Sequence, residues 1–562
     1  MAHFPMSYTA ILRTMSIQQS TVGKVNSGPR VVIIGGGVSG ITSGIALKTQ
    51  LGFDNFAIYE EFDDVGGTWH LNTYPGCASD IATHWYSLST ELNPNWNQTH
   101  VSQAELKAYW KNLTYKYHLD HNLSLFSKVV EAEWDVSRQV YRVLIQDVRT
   151  GGTVVDYANA IISAIGLINI PYYAKSLQGI RDVFRGDHFH SARWRHDISL
   201  RNKRVAVVGN GSSAAQFVPV ISEDPSTEVV SFIRTPTWVV PRHRFSYTNF
   251  EKSVFKYVPF AMRIYRFILM TRQELAYYLT LSGSPESTTS KRATTILTEY
   301  LRKTAPAQYV NALIPNHPPG CKRFVVDTGY LESLHRPNNT LNFDGIAEVT
   351  EAGIITNKGE LHEFDVIIEA TGFAIDQYPI KITGVDGRTV QEYYHEHNGP
   401  TAYRGTTIPG FPNFFVILGP NTGTGHGSAI FTEEMQVNYT MQLLSPILRG
   451  LASSFEVTHE ATDQWNTHVQ LRLSNSVWSS CNSWYRAGLS GKNGIIWPGP
   501  LMDQWWWLRW PQWEHYKAIG AEKWERKRTL VRFVKRCVLV GAVGVACSWW
   551  WIPDKWPGWR SF

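Results

Sequence analysis

The sequence Arg30-Val-Val-Ile-Ile-Gly35-Gly-Gly37-Val-Ser-Gly40 joins an apolar, β-branched run to spaced glycines. The run predicts a buried strand, and residues 41–49 predict a helix behind it. At such a turn the first glycine allows a tight bend and the second lets the backbone approach a pyrophosphate. The helix N-terminus offers free N–H groups to the anion. The stretch therefore predicts a dinucleotide-binding unit with cofactor contacts at Gly35, Gly37 and Gly40.

The pattern returns later in the chain, in Arg204-Val-Ala-Val-Val-Gly209-Asn-Gly211-Ser-Ser-Ala214-Ala215-Gln216, with alanine in the third glycine position. One such motif is weak evidence, but two copies, each after an apolar strand, are much stronger. The pair predicts an α/β fold with two Rossmann-like dinucleotide-binding domains. The second unit has predicted cofactor contacts at Gly209, Asn210, Gly211, Ser212, Ser213, Ala214, Ala215 and Gln216.

The residue that ends the next strand distinguishes the two units. In Phe56-Ala-Ile-Tyr-Glu60 the strand ends in an acid, which suits a ribose diol and disfavours a 2′-phosphate. In the second unit the strand from Val229 ends in Arg234 and Thr235, and a cation there suits the 2′-phosphate of NADPH. An ordinary strand-end acid and a solvated arginine are the alternatives.

Length and charge restrict the class of protein. A chain of 562 residues exceeds what one hydrophobic core serves, so at least two domains are expected. Residues 526–536 hold six basic side chains, which account for the whole formal charge of +6. The charge is therefore local, and the sequence predicts no nucleic-acid partner.

The C-terminal segment combines three membrane signals. Residues 537–552 are uncharged, follow the basic segment and end in a tryptophan cluster. We expect a C-terminal membrane helix and a membrane-associated protein with a cytosolic main body, such as one anchored by its tail in the endoplasmic reticulum. The alternative is a buried or interfacial helix.

The first residues lack a continuous apolar core, so residues 1–27 are interpreted as a leader and not as a secretory signal.

The cysteines and the aromatic insertion give two further expectations. The five cysteines show no metal-ligand spacing, and their scatter predicts neither a metal site nor a disulfide framework, which favours a reducing compartment. Residues 251–310 are rich in aromatic and basic positions and predict helices inserted into the second unit. These helices either touch a membrane or cap a substrate cavity.

A short fingerprint precedes the second unit. It consists of Phe184, Gly186, His190 and Trp194. In this pattern the chain resembles the class B flavoprotein monooxygenases and, among them, the Baeyer–Villiger monooxygenases. It departs from the family at Arg195, where proline or aspartate is usual, and at Ile165, where the family has threonine. The resemblance implies that the fingerprint is a hinge between the FAD and NADPH units, with His190 as a hydrogen-bonding residue and not as a general base.

Other segments extend the resemblance over roughly residues 28–515. Residues 320–330 resemble the segment with the family's catalytic arginine, which falls on Arg323, beside Lys322 as an NADPH contact. Asp80 would orient this arginine and is the second predicted catalytic residue. Residues 419–428 and 481–485 are similar to a fungal secondary-metabolism branch. Flavin-site contacts are implied at Gly67, Thr68, Trp69, His70, Ala78, Ser79, Asp80, Tyr86 and Val130.

The resemblance also implies the domain organisation. Residues 28–170 form the first part of an FAD-binding domain and 365–520 its second part with the C-terminal region. Residues 171–364 form the NADPH-binding domain, with the helical insertion at about 245–315. Residues 521–562 hold the basic segment and the predicted anchor.

The implied reaction is a Baeyer–Villiger oxidation. NADPH reduces FAD, the reduced flavin activates O₂, and one oxygen atom is inserted beside a ketone carbonyl to give an ester or lactone. A fixed guanidinium suits this chemistry because it stays charged beside a developing oxyanion. The expected substrate is a small lipophilic ketone, such as a polyketide or terpenoid intermediate. An N- or S-oxygenating or hydroxylating flavin enzyme and a non-oxygenating membrane-tethered flavoprotein are the alternatives.

Overall fold

The computed structural model describes residues 28–531 apart from 178, 243, 376 and 488–490, and also 533–534 and 537–538. The strands are β1 Val31–Ile34, β2 Phe56–Tyr59, β3 Leu123–Ser124, β4 Ser127–Asp135, β5 Val140–Asp147, β6 Thr153–Ala158, β7 Ala160–Ser163, β8 Asp187–His190, β9 Arg204–Val208, β10 Glu228–Phe232, β11 Val239–Pro241, β12 Val325–Asp327, β13 Asn339–Asn342, β14 Ile346–Val349, β15 Gly353–Thr356, β16 Leu361–Glu363, β17 Val366–Glu369, β18 Lys381–Thr383, β19 Phe414–Val416, β20 Ser454–Val457, β21 Arg486–Ala487, β22 Lys492–Asn493 and β23 Tyr516–Ile519.

The helices separate these strands. They are α1 Val38–Leu51, α2 Thr68–Leu71, α3 Gln103–Lys116, α4 Ile180–Val183, α5 Ser212–Ile221, α6 Asn249–Tyr257, α7 Ala261–Thr280, α8 Thr288–Thr304, α9 Ala307–Leu313, α10 Tyr330–Ser333, α11 Val390–Glu396, α12 Ala429–Leu448, α13 His459–Ser474 and α14 Leu501–Leu508. Short 3₁₀ helices lie at Leu119–Asn122, Lys175–Leu177, Ser191–Arg193, Val477–Ser479 and Trp513–His515.

The first dinucleotide unit is built on a parallel sheet with the strand order β19-β7-β1-β2-β3. All four residues of β1 are buried, because a parallel sheet covered on both faces needs a continuous apolar strand. Strand β19 comes from far along the chain and pairs in parallel with β7. The sheet is therefore completed by residues on both sides of the second unit.

The second unit has its own parallel sheet, ordered β13-β10-β9-β17-β8. Its central strand β9 pairs with β10 on one side and β17 on the other. The predicted α/β class with two Rossmann-like units is confirmed. Smaller sheets flank these two, the largest being the four-stranded β18-β4-β5-β6.

Helices α6 to α9 lie between β11 and β12, two short strands that pair with each other in parallel. Helix α7 has 20 residues and contacts α8. The aromatic stretch in this part of the chain is therefore helical, as the sequence predicts.

Two further predictions from the sequence concern the cysteines and the C-terminal segment. The prediction of no disulfide is wrong, because Cys321 and Cys481 are bonded to each other; a spacing rule could not find cysteines 160 residues apart. The predicted membrane helix at 537–552 lies outside the described residues except for Cys537 and Val538. Within the described part of the chain, no helix is both long enough and apolar enough to cross a membrane.

Candidate functional site

The first glycine turn is closely packed. Gly35 has φ +102°, and a Cβ there would lie 2.7 Å from the Ala164 carbonyl oxygen. A Cβ on Gly40 would lie 2.0 Å from the Gly35 oxygen, so helix α1 can begin here only without that side chain. The helix starts after Gly37 and carries no side-chain cap, which leaves its first N–H groups available to an anion.

Glu60 lies at the edge of this turn. Its carboxylate accepts hydrogen bonds from the backbone N–H groups of Gly36 at 2.6 Å and Phe62 at 2.9 Å. Burial raises the pKa of Glu60, while the two backbone donors oppose that shift. The acid is therefore fixed beside the glycines, where a dinucleotide places its ribose.

The second turn repeats this geometry. Gly209 has φ +114°, and a Cβ there would lie 2.5 Å from the Ala370 oxygen. Nothing lies within 4 Å of a Cβ built on Gly211, so the backbone at the start of α5 faces open space. The Asn210 side chain donates to the Thr235 oxygen at 3.2 Å and ties the turn to the segment after β10. An anion can reach this turn directly.

Two cations, Arg234 and Lys322, lie near each other beside the second turn. Burial and the charge of Arg234 lower the pKa of Lys322. Neither side chain has an ion-pair partner among the described residues. A pair of unmatched cations beside a dinucleotide turn fits a phosphate group, and this feature distinguishes the second unit from the first.

Asp80 and Arg323 meet between the two units. The Arg323 Nη2 donates to Asp80 Oδ2 at 2.9 Å. Gln216, which is buried in α5, donates from Nε2 to the other carboxylate oxygen of Asp80 at 3.0 Å. The three side chains form a chain of hydrogen bonds that crosses from the second unit to the first.

The surroundings of Arg323 keep its charge. Burial by itself lowers the pKa of this guanidinium, but the Asp80 charge and the oxygens of Tyr485, Tyr86 and Tyr74 outweigh it, and the pKa is raised. The side chain is still 45% exposed. A permanent positive charge is therefore accessible between the two units.

The segment before Asp80 packs against the first glycine turn. Gly67 has φ +52°, and a Cβ there would lie 2.9 Å from the Gly37 Cα, so two glycine backbones face each other at the start of α1. Trp69 is buried and packs edge-on against Tyr86 with ring centroids 5.7 Å apart. The other predicted contacts in this region are Thr68 and His70 in α2, buried Ala78 and Ser79, and half-buried Val130 in β4.

His70 has protein partners. Its Nε2 lies 2.8 Å from Asp63 Oδ1 and its Nδ1 lies 2.9 Å from Lys107 Nζ. The structure thus places His70 in α2 beside the first turn, but both ring nitrogens are already used. Its predicted cofactor contact would have to come from the backbone or the ring face.

The fingerprint residues support the edge of the second sheet. A Cβ on Gly186 would lie 2.4 Å from the Asp365 oxygen and 2.5 Å from the buried Phe184 ring. His190 is buried at the end of β8 and accepts from the Ala192 N–H at 3.0 Å. Trp194 packs edge-on against Phe189 with ring centroids 5.2 Å apart.

His190 is poorly placed for proton transfer. Burial lowers the pKa of His190 to about 4. Arg195, the departure in the fingerprint, is exposed and paired with Asp197 at 2.8 Å. These contacts agree with a packing role for the fingerprint.

From the sequence, His188 and His196 are interpreted as exposed linker residues, and for His188 this interpretation is wrong. Its side chain is 11% exposed, and Nε2 lies 2.9 Å from the buried Glu369 carboxylate. Strand β8 pairs with β17, which brings these residues together across the sheet. His196 is exposed as expected and contacts the Thr73 hydroxyl at 2.9 Å.

Two features near the site had no sequence signal. Glu433 in α12 is fully enclosed, and burial raises the pKa of its carboxyl to about 8, opposed by a bond with Ser39 at the start of α1. The Cys321–Cys481 bond joins the segment before Arg323 to the one that carries Tyr485. A motif could not indicate either feature, because each depends on contacts between distant parts of the chain.

The residues present fit two dinucleotide cofactors. The first unit offers glycine backbone, a helix start and a fixed acid for FAD. The second offers an open glycine turn and two unmatched cations, as NADPH requires and NADH does not. The Asp80–Arg323 pair lies where the two would meet.

Comparison with known proteins agrees with this geometry. The model of the flavin-binding monooxygenase-like family matches residues 28–278. A Baeyer–Villiger monooxygenase of Pseudomonas aeruginosa is 36% identical, over 84% of this chain and 88% of that protein. The FAD-binding monooxygenase ktnD of Aspergillus niger is 31% identical, over 94% of this chain and 90% of its own length.

Solved structures share the fold. Closed cyclohexanone monooxygenase superposes with a TM-score of 0.76 at 22% identity, covering 87% of this chain and 99% of the other. OTEMO in complex with FAD and NADP gives a TM-score of 0.75 at 24% identity, with the same coverage. At this identity the comparison concerns the fold alone.

Two dinucleotide units with an arginine–carboxylate pair between them define a two-cofactor oxidoreductase. Together with the relatives above, the chain belongs to the Baeyer–Villiger type of flavin-binding monooxygenases. Enzymes of this family are NADPH-dependent flavin monooxygenases, and FAD and NADPH are the family's cofactors.

Proposed function

We propose that this protein inserts one oxygen atom from O₂ beside the carbonyl of a lipophilic ketone, giving an ester or lactone. The observation that carries the proposal is the Arg323 Nη2 to Asp80 Oδ2 bond of 2.9 Å between the two dinucleotide units. Bound FAD, reduced by NADPH, supplies the activated oxygen. The protein's own contribution is to bind both cofactors and to hold a fixed charge at the reacting centre.

The first unit would hold FAD. The turn from Gly35 to Gly40 and the start of α1 face the pyrophosphate, and Glu60 accepts from the ribose hydroxyls. Gly67 leaves room for the cofactor only because neither it nor Gly37 has a side chain. The second unit would hold NADPH, with the 2′-phosphate between Arg234 and Lys322.

Arg323 is the residue that favours ester formation over other oxygen transfers. Addition of a nucleophile to a ketone puts negative charge on the carbonyl oxygen, and a guanidinium beside it stabilises that charge. Asp80 fixes the orientation of Arg323 without removing its charge, because the pKa of Arg323 is raised and not lowered. Gln216 in turn fixes Asp80.

A cavity of about 370 Å³ lies against the segment that precedes Arg323, although Arg323 and Asp80 do not line it. Its lining includes Tyr277, Leu281 and Trp478 together with Arg472, Asn475 and Ser476. Leu281 packs directly against the segment before Arg323, since a Cβ on Gly320 would lie 2.1 Å from its Cδ2. The apolar side suits a ring system, and the polar side suits a few oxygen substituents, as in a polyketide or terpenoid intermediate of secondary metabolism.

The decisive experiment uses the purified protein with FAD, NADPH and a panel of cyclic and long-chain ketones under ¹⁸O₂. The expected result is a product heavier than the ketone by one labelled oxygen, which hydrolyses as an ester. Labelled sulfoxide or N-oxide from sulfide or amine substrates, with no ester from any ketone, would replace the proposal with the alternative of heteroatom oxygenation. NADPH oxidation with no labelled product would favour a non-oxygenating flavoprotein.

The location of the protein is a separate part of the proposal. The basic segment at 526–536 lies between the catalytic body and the apolar residues 537–552. Basic residues stay on the cytosolic side of a membrane, so the body would be cytosolic and the tail inserted, as at the endoplasmic reticulum. Carbonate extraction and protease protection of microsomes test this arrangement: a body that resists protease in intact vesicles would contradict it.

A further inference from the structure

Helices α6 and α7 carry a large apolar surface that nothing in the described chain covers. Phe250 is 76% exposed, Phe260 72% and Phe267 60%. Soluble proteins rarely expose large contiguous apolar patches without a partner. The remaining members of the surface, which we call the α6–α7 face, are Tyr257, Val258, Ile264, Ile268, Leu275, Tyr278 and Leu279.

The spacing of these residues places them on one side of α7. Positions 264, 267, 268, 275, 278 and 279 recur at intervals of one helical turn or two, which aligns them in a stripe. The residues between them, Arg266, Leu269 and Tyr277, are buried on the opposite side. One side of α7 is therefore buried, and an apolar stripe on its opposite side faces outward.

The inner side of α7 is firmly attached. Arg266 donates to the His84 oxygen at 2.9 Å and to the Ser87 oxygen at 2.6 Å, and it lies over the Trp85 ring at 4.8 Å. Glu274 accepts from the Leu501 N–H at 2.9 Å. Rotating the helix to bury the outer stripe would break these bonds, so a rotation of α7 would not cover the α6–α7 face.

The charges around the face are positive. Arg263 lies four residues before Phe267 and Arg272 four residues after Ile268, and both are exposed, as is Lys256. The acids on these helices point elsewhere: Glu251 caps α6 through Thr248, and Glu274 is turned inward. A second copy of the chain would bring like charges together across such a face. An anionic partner suits it.

We propose that the α6–α7 face lies on the surface of a membrane rich in anionic phospholipid. Its aromatic and aliphatic side chains would enter the boundary between headgroups and acyl chains, and Lys256, Arg263 and Arg272 would pair with lipid phosphates. A stripe of this kind with basic residues beside it is typical of an interfacial helix. This surface is separate from the C-terminal segment.

The surface is placed to serve the substrate cavity. Tyr277 and Leu281 line the cavity, whereas their neighbours Tyr278 and Leu279 belong to the exposed face. His426, whose ring centroid is 4.7 Å from that of Tyr277, connects this end of α7 to the 419–428 loop. A lipophilic substrate could thus pass from the bilayer into the site, an extension that rests on the proposed function.

Hydrogen–deuterium exchange on the full-length protein tests the inference region by region. Vesicles of phosphatidylcholine with 30 mol% phosphatidylglycerol should protect peptides from 249–280, and phosphatidylcholine alone should protect them far less. Peptides from 353–363 serve as the internal control. The anchor can hold the protein on vesicles by itself, so protection confined to residues beyond 520 would overturn the inference.

Variants distinguish membrane binding by the α6–α7 face from self-association of two copies of the chain. In the double variant F260E/F267E, the lipid concentration that gives half-maximal exchange protection of 249–280 should rise at least tenfold. The control L361E changes a side chain that is 51% exposed elsewhere on the protein and should leave this concentration unchanged. Oxidation of a water-soluble ketone should be unchanged in both. Protection of 249–280 that rises with protein concentration in the absence of lipid would show self-association and overturn the inference.

Discussion

Arg323 and Gln216 hold the Asp80 carboxylate from opposite sides, one through each oxygen, at 2.9 and 3.0 Å. The arginine precedes β12, the glutamine lies in the helix of the second unit, and the acid belongs to the first unit. The orientation of the guanidinium is therefore determined by both units together. We expect residues that only touch Asp80 to influence oxygen transfer through Arg323.

Removal of the Gln216 amide should reduce the coupling of NADPH oxidation to ester formation. In Q216L the Asp80 carboxylate loses one hydrogen-bond donor, and Arg323 loses its fixed orientation. The ester yield per NADPH should therefore fall about tenfold, which corresponds to a free-energy difference of roughly 1.4 kcal/mol. Q216E should be worse, because it places a second carboxylate beside Asp80. Ester and hydrogen peroxide are measured against NADPH consumed, with Q50L as a surface control. Full coupling in Q216E would show that Asp80 needs no such support.

The two cations of the second unit should determine the choice of nicotinamide cofactor. In K322A and R234A the KM for NADPH should rise about ten- to a hundredfold, since a hydrogen bond to a charged group is worth about 1.5–3 kcal/mol. The KM for NADH should change little. R201A removes an exposed arginine, paired with Asp224, from the same unit and is the matched control. Equal losses with both nucleotides would place the 2′-phosphate elsewhere.

Glu433 should make stability depend on pH. The pKa of Glu433 in the folded protein is about 8, above its ordinary value of 4.5, so the folded state binds this proton more tightly than the unfolded state. Its contribution is complete below about pH 4.5 and is lost as the pH rises towards 8. The Tm of wild type should therefore decline relative to E433Q between pH 5 and 8, by several degrees.

The measurement is thermal melting of the holoenzyme at each pH, with E363Q as an exposed control. Parallel curves for wild type and E433Q would show that Glu433 is charged in the folded protein.

The disulfide should stabilise the protein against heat. A cross-link between residues 160 apart restricts the unfolded chain, an effect on the order of 5 kcal/mol in the chain-entropy view. A reducing agent should lower the Tm of wild type by several degrees and leave C321S/C481S unaffected. C537S removes an exposed free cysteine and should behave as wild type. Two free thiols at 321 and 481 in the isolated protein would contradict the bonded pair.

The sequence predicted those parts of the molecule that depend on local backbone geometry. The glycine turns at 35–40 and 209–211 can be predicted from the sequence because a strand, a glycine with positive φ and a helix start follow one another in the chain. Glu60 was found in the same way, from its position at the end of β2.

Long-range contacts were beyond the reach of a pattern. The Asp80–Arg323 pair was expected only from family resemblance, since 243 residues separate its members. Gln216 was predicted to contact the cofactor, and its bond with Asp80, 136 residues away, had no signal in the sequence. His188 was interpreted as exposed because strand pairing with β17 could not be seen from its own neighbourhood.

Replacement of Arg323 tests the central claim most directly. R323A, loaded with FAD, is supplied with NADPH, O₂ and a ketone that the wild type converts, and ester formation is measured beside NADPH oxidation. We predict that NADPH oxidation stays within about tenfold of wild type while ester formation falls by about 10² or more, the usual loss when a group that stabilises developing negative charge is removed. Ester formation that stays coupled to NADPH oxidation in R323A would contradict the assignment of oxygen transfer to this arginine.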